Sequence, residues 1–338
     1  MAEEPRYRYQ QVNKFIFQDY ISSWKEASSL PKELRSKLEN ECPLEISAQL
    51  IVANKNGNTK KALIKLEDKE MVETVLIEQS SHDLVANDKK NKKNFRYTVC
   101  VSTQVGCPLD CSFCATGQSG FKRNLKAEEI VEQIIFWQRE LKKKKEKVDN
   151  VVFMGMGEPF LNYQEFIKAV KFINNPETMN IGARRLSVST AGIIEGIKRL
   201  SGEKLQINLA ISLHATNDNL RQKLMPIAKK NSLINLFKAT DDYIKKTGRR
   251  VMLEYMLIRG VNDSLEEAQN LVKLLANKSL YLVNLIPYNE TGRFQASHRE
   301  TVENFKKYLE NFKIPVTKRL SFGLDITAAC GQLRLKNK

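Results

Sequence analysis

From residue 95 onward, short apolar runs alternate with amphipathic segments, and this alternation narrows the possible folds more than any other feature of the chain. YTVCVST (97–103), VDNVVFMG (148–155), RRLSVST (184–190), QINLAISL (206–213), RRVMLEYML (249–257), YLVNLIP (281–287) and IPVTKRLS (314–321) have the length and β-branched content of buried strands. Between them lie segments of helical period. AEEIVEQIIFWQRELKKK sets Ile130, Val131, Ile134 and Trp137 or Leu141 on one side, and YQEFIKAVKFI, GIIEGIKRL, SLEEAQNLVKLLA and ETVENFKKYLENF follow the same plan. About six strand–helix alternations predict a parallel sheet covered on its outer face, wound by right-handed crossovers into an open or closed barrel. Loops at the carboxyl ends of such strands form the active face.

The residues before 95 have a different rhythm. VNKFIFQDYI and LPKELRSKLENE show helical spacing broken by Pro31, so residues 1–60 are expected to form a small helical accessory domain. Residues 61–94 read as a β-hairpin linker: KALIKLEDKEMVETVLIE gives two strands around a polar EDKE turn, and HDLVANDKKNKKN (82–94) is a loop. The core domain is then 95–338. No apolar run approaches the ~18–20 residues of a membrane span, and MAEEPRYRYQQVNKF lacks the plan of a secretory signal. A cytoplasmic protein with no membrane association is expected.

Six cysteines are present: Cys42, Cys100, Cys107, Cys111, Cys114 and Cys330. In a large chain without a secretory signal they point to metal or redox chemistry rather than a disulfide scaffold. Three of them fall in CPLDCSFC, spaced Cys-x3-Cys-x2-Cys with Phe113 before the last. Zinc wants a second Cys or His pair, and His82, His214 and His298 are scattered. Inert buried thiols would leave the tight spacing unexplained. A [4Fe–4S] cluster on three thiolates leaves one iron open to a small chelating molecule.

Cys-x3-Cys-x-aromatic-Cys resembles the signature of radical S-adenosylmethionine (SAM) enzymes. The resemblance implies a partial (β/α)6 radical SAM barrel. Cys107, Cys111 and Cys114 would hold a [4Fe–4S] cluster whose open iron takes the amino and carboxylate groups of SAM. It also implies roles for the other strand ends. Gly157 and Glu158 in MGMGEP would hold the SAM amino group, and Ser189 in SVSTAG would face SAM. Ser212, Leu213 and His214 would lie near its ribose and carboxylate, and Asn289 in LIPYNETG near its adenine. Each residue alone is a weak sign, and a Ser or His at a strand end is more often structural.

TVCVSTQVGCPLDCSFCATGQSGFKRNL (98–125) and DITAACGQL (325–333), with MGMGEPFLN, RRLSVSTAGI, ISLHATND, LMPI, GVNDS and VNLIPYN, are similar to the RlmN/Cfr family of RNA adenine methyltransferases over about residues 70–333. Carbon 2 or carbon 8 of adenine has no nucleophilic electron pair and cannot attack the SAM methyl group directly. The resemblance implies that Cys330 carries the methyl group, which becomes a carbon radical when the SAM-derived deoxyadenosyl radical removes a hydrogen. Cys100 then attacks the sulfur of Cys330 to release the joined RNA, leaving a disulfide to be reduced. Glu73 corresponds to the acceptor of the ring proton. Cys42 matches nothing and reads as structural.

Pro159, Leu161 and Asn162 look like the carbon 2 enzymes. SFGLDI (321–326) looks more like the carbon 8 enzymes, which confer ribosomal antibiotic resistance, and Ala228 departs from both. Carbon 2 is the expected target and carbon 8 the alternative. Family substrates are 23S rRNA and, for RlmN types, tRNA. Such an enzyme needs an electron donor such as flavodoxin or ferredoxin, and a monomer is expected.

Lysine plus arginine exceeds aspartate plus glutamate, 55 against 39, a net charge of +16. That surplus suits a polyanion such as RNA, with the amino-terminal helices helping to seat it by shape and phosphate contact and the target base extruded. KKNKKN (89–94) and KKKKEK (142–147) suit a solubilising surface equally well. A rival of another class is a non-catalytic iron–sulfur or zinc RNA-binding module, which would leave Cys330 without a task.

Overall fold

The computed structural model describes residues 4–80 and 95–333; the loop expected over 82–94, with its KKNKKN run, lies outside the described residues. The amino-terminal part holds α1 (Arg6–Phe17) and α2 (Lys32–Glu41). Val12, Ile21, Trp24, Leu30, Leu34 and Leu38 close a small core of their own around the buried Trp24. The Trp24 indole Nε1 donates to the Cys42 carbonyl at 2.8 Å. Cys42 itself is exposed, at the end of α2.

The helical expectation fails at residues 48–53. β1 (Ala48–Ala53) is an edge strand paired antiparallel with β2 (Thr59–Lys65), Ile51 opposite Ala62. Its β-branched run is closed by Asn56–Gly57, a hairpin signal, with Gly57 at φ 70°. The boundary drawn at residue 60 therefore falls inside β2. β3 (Met71–Ser80) extends the ladder antiparallel to β4 (Phe95–Cys100), with Val75 opposite Cys100.

From β4 the sheet becomes parallel. Beyond β4 the chain forms a two-stranded clasp, β5 (Gln104–Gly106) against β6 (Phe121–Asn124), with the short α3 (Ala115–Gln118) between them. Then follow α4 (Ala127–Lys142), β7 (Asn150–Phe153), α5 (Tyr163–Asn174), β8 (Leu186–Thr190), α6 (Ile194–Gly202), β9 (Asn208–Ser212), α7 (Asp218–Leu224), α8 (Leu233–Thr247), β10 (Val251–Leu257), α9 (Leu265–Leu275), β11 (Tyr281–Pro287), α10 (Arg299–Asn311) and β12 (Val316–Lys318). The large sheet has the order β1-β2-β3-β4-β7-β8-β9-β10-β11-β12. Every pairing from β4 to β12 is parallel. All seven strands expected after residue 95 are present. Among the described residues no pairing joins β1 to β12, so the parallel part is an open α/β array of six crossovers. No described helix is long and apolar enough to cross a membrane.

Strand parity decides what this sheet can do. Val99, Val151, Val188, Leu209, Leu253 and Val283 all belong to the large core beneath the helices. Their neighbours in sequence point to the other face, where Cys100, Ser189, Ser212, Glu254 and Asn284 occur. The strands are thus less uniformly apolar than their sequences suggest. Large side chains face the helices, while small or polar ones face a cavity.

Candidate active site

A cavity of about 160 Å3 opens at the carboxyl ends of the parallel strands. Cys107, Cys111 and Cys114 line it together with Gly157, Glu158, Ser189, Ser212, His214 and Cys330. The β5–β6 clasp creates this loop geometry. Gly106 has φ 78°, and a Cβ there would lie 1.9 Å from the Gly120 carbonyl oxygen, so only glycine closes the clasp. The loop is tied at several points. Ser112 N donates to Leu224 O at 2.9 Å and Ala115 N to Gly331 O at 2.8 Å. The Thr116 hydroxyl donates to Leu333 O at 2.6 Å. The cysteine loop and the carboxyl-terminal AACGQL segment are therefore one hydrogen-bonded unit, although over 200 positions apart in the chain.

Burial pushes the Cys107 thiol up to about 12 and Cys111 well above its ordinary value, and the neighbouring cysteines raise both further. Such thiols are unreactive alone, and metal coordination reverses this by taking the proton's place. Three thiols sharing one cavity fit a cluster that leaves one metal position open.

The opposite wall fits an amino acid headgroup. Gly157 sits at φ 100°, with an added Cβ 2.6 Å from Gln104 Cβ. The Gln104 amide oxygen accepts from Glu158 N at 2.8 Å. The Glu158 carboxylate is buried, accepts from Ala191 N at 2.7 Å and Phe160 N at 3.0 Å, and is raised by burial to about 7. An ammonium group beside it would supply the missing counter-charge. His214, at φ 56°, accepts from Met256 N through Nδ1 at 3.1 Å and stacks edge-on with Phe113 at 4.9 Å. Burial pushes it down to about 3, so it is neutral and its proton is on Nε2. Leu213 does not bring its side chain to this group: the side chain lies in the helix-side core, and its backbone N donates to Glu254 O at 3.0 Å.

Cys330 connects this cavity to a second one of about 40 Å3, lined by Cys100, Asn289, Met154, Arg319 and the 320–333 segment. Asn289 Nδ2 donates to the Cys330 carbonyl at 3.0 Å. Burial pushes the Cys100 thiol up to about 12; Cys330 adds to the rise and Arg319 opposes it. All six cysteines are free thiols, so no Cys100–Cys330 disulfide is formed in this state. Glu73 lines neither cavity. It is buried on the inner side of β3, and its Oε1 pairs with Lys61 Nζ at 2.8 Å, while that Nζ also donates to Thr327 Oγ1 at 3.1 Å.

Sequence reading missed three polar residues. Arg221 Nη2 donates to Ala191 O at 2.8 Å and Ser212 O at 3.1 Å, and its Nε to Leu213 O at 3.2 Å, joining the loops after β8 and β9. Glu254 and Arg319 also line the cavity. A lone arginine or glutamate carries no spacing signal; only parity on β10 could have placed Glu254 inward.

The chain matches the radical SAM superfamily over residues 101–275. It is 44% identical to a dual-specificity RNA methyltransferase RlmN from Nautilia profundicola, over 98% of this chain and 94% of that protein. It is 43% identical to a ribosomal RNA large subunit methyltransferase N from Nitrosopumilus maritimus, over 97% and 92%. The crystal structure of a radical SAM methyltransferase from Sphaerobacter thermophilus superposes with a TM-score of 0.91 at 40% identity, covering 98% of this chain and 94% of that one.

Proposed function

The chain belongs to the RlmN/Cfr family of radical SAM RNA methyltransferases, and on that premise we propose that it methylates carbon 2 of an adenine in 23S rRNA, and of an adenine in tRNA, with Cys330 as methyl carrier. The observation that carries this reading is the position of Cys330. It lines the cavity of the three clustered cysteines and the adjoining cavity of Cys100.

The cofactors are a [4Fe–4S] cluster and SAM, which supply the methyl group and the radical chemistry that activates it. Cys107, Cys111 and Cys114 hold the cluster. Glu158 receives the SAM ammonium at the close approach Gly157 allows. Ser189, Ser212, the Leu213 backbone and the His214 Nε2–H orient the rest, and Asn289 holds the Cys330 backbone beside the adenine. The Cys330 sulfur accepts the methyl group and presents its carbon to the extruded base. Glu73, released from Lys61, accepts the ring proton. The Cys100 thiolate then attacks the Cys330 sulfur and forms a disulfide, while the electron pair of the broken sulfur–carbon bond goes to the carbon, which takes up a proton and leaves as the methyl group on the RNA. A one-electron donor such as flavodoxin or ferredoxin serves the cluster, a thiol reductant reopens the disulfide, and the protein acts as a monomer in the cytoplasm.

Mapping the methylated atom on 23S rRNA and tRNA from cells with and without this protein tests the reading. A methyl group on carbon 2 supports it. Methylation of carbon 8, the alternative suggested by SFGLDI, overturns the regiochemistry. RNA methylation by the Cys330→Ala variant overturns the carrier.

A further inference from the structure

We propose that Arg319 is the charge partner of the two thiols, the cation that stands beside the Cys330 sulfur as it accepts the methyl group and beside the Cys100 sulfur as it attacks. This rests on the reading that Cys330 and Cys100 are the carrier and resolving thiols.

The argument starts from the shared wall of the two cavities. Met154, Ile286, Arg319, Cys330 and Leu333 line both. The other ionisable residues lining them are Cys100, Cys107, Cys111, Cys114, Glu158, His214 and Glu254, so Arg319 is the one cation among the described lining residues, His214 being neutral. Its backbone N donates to Leu285 O at 2.8 Å, which fixes it just beyond β12 at the end of β11.

The guanidinium is not saturated by its carboxylate. Arg319 Nη1 stands 3.9 Å from Glu254 Oε2, and the Glu254 oxygens already accept from Asn284 Nδ2 at 3.0 and 3.2 Å. The same Nη1 is 3.4 Å from Met154 Sδ, a weak acceptor. A planar fork built for two strong acceptors thus has capacity left over. Cys330 is the strongest influence holding its charge, ahead of Glu254 and Cys100. Arginine suits this position because it does not lose its proton, even between thiols.

The charge count follows the reaction. Before methyl transfer the Cys330 sulfur and Glu254 share the guanidinium. The thiolate electron pair then forms the new sulfur–carbon bond as the sulfonium bond of SAM breaks, S-adenosylhomocysteine leaves, and Cys330 becomes a neutral thioether. Glu254 remains to neutralise Arg319, so no cation is stranded. When Cys100 attacks, the same guanidinium is beside the entering thiolate.

The test is thiol alkylation of the cluster-loaded protein by iodoacetamide under anaerobic conditions, followed peptide by peptide by mass spectrometry from pH 6 to 10. Exposed Cys42 is the internal reference. In Arg319→Met the Cys330 rate at pH 7 should fall by about tenfold or more relative to Cys42, with its pH profile displaced upward. Arg319→Lys should recover part of the rate. Unfolding exposes the thiol and raises the rate, so a misfolded variant cannot imitate the expected result. An unchanged or faster Cys330 rate in Arg319→Met, or no recovery with lysine, overturns the proposal. The alkylation readout does not require RNA methylation, so it stands apart from the test of the carrier itself.

Discussion

Glu73 and Glu158 are both buried carboxylates, but they have different partners. Glu73 has a lysine 2.8 Å away, whereas Glu158 is held by two backbone N–H groups. The first suits a group that must stay ionised until a proton arrives. Glu73→Gln should therefore leave the Cys330 methyl group detectable by peptide mass spectrometry, while RNA methylation falls by about 100-fold or more. Loss of both would mean that Glu73 is structural. For Glu158 the sign is set by burial, which raises the carboxyl from 4.5 to about 7. A carboxyl raised on folding contributes its stability below about 4.5 and loses it as the pH climbs through 7. Urea unfolding of the cofactor-free protein should lose about 3 kcal/mol across that window relative to Glu158→Gln. At this scale the cysteine triad was readable because its chemistry needs that spacing, whereas the ACGQL cysteine, a lone thiol among small residues, was singled out only by the family resemblance. Arg221, Glu254 and Arg319 were not readable, because their partners are distant in the chain: backbone carbonyls for Arg221, the Asn284 amide and Arg319 for Glu254.

Elements explain why those partners meet. β4 and β7 to β12 form one parallel array, and alternation puts Cys100, Ser189, Ser212 and Glu254 on the face away from the helices. This was largely legible: the seven strands are short apolar runs, and each of the first six precedes an amphipathic helix. Two features were not. β1 was hidden in a region of helical period, although Asn56–Gly57 marked its hairpin. The β5–β6 clasp is only three and four residues long, too short for any period to show. The clasp nevertheless shapes the cysteine loop. Gly106→Ala would drive a Cβ into the Gly120 carbonyl and strain a positive φ, costing about 1–3 kcal/mol locally. Reconstituted iron content should then fall severalfold while the far-ultraviolet circular dichroism, dominated by the large sheet and its helices, stays close to that of the parent protein. Full iron retention would show that the loop does not depend on the clasp.

For the whole molecule, the question is where a positively charged surface meets RNA. The lysine run 142–147 is not a good candidate. Lys142 pairs with Glu26 at 3.4 Å, Lys143 with Glu140 at 2.5 Å and Lys144 with Glu78 at 3.8 Å, so it ties the end of α4 to its surroundings. The amino-terminal helices dock there too, Phe17 on Phe172 with ring centroids 4.6 Å apart and Arg139 Nη1 donating to Leu44 O. Helices α4 and α5 run back from the mouth, so these contacts lie at the end of the sheet remote from the cavity. The mouth has its own cations. Lys229 and Lys230 follow α7 after β9, and Arg293 follows β11; all three are exposed. A base entering the cavity must bring its flanking phosphates past this rim. Reversing the three charges together, Lys229→Glu, Lys230→Glu and Arg293→Glu, should weaken binding of a 23S rRNA fragment by about tenfold or more and flatten its salt dependence. Iron content and Cys330 alkylation, which belong to the interior, should be unchanged. Equal affinity and an equal salt slope would move the RNA footprint away from the mouth and onto the amino-terminal helices.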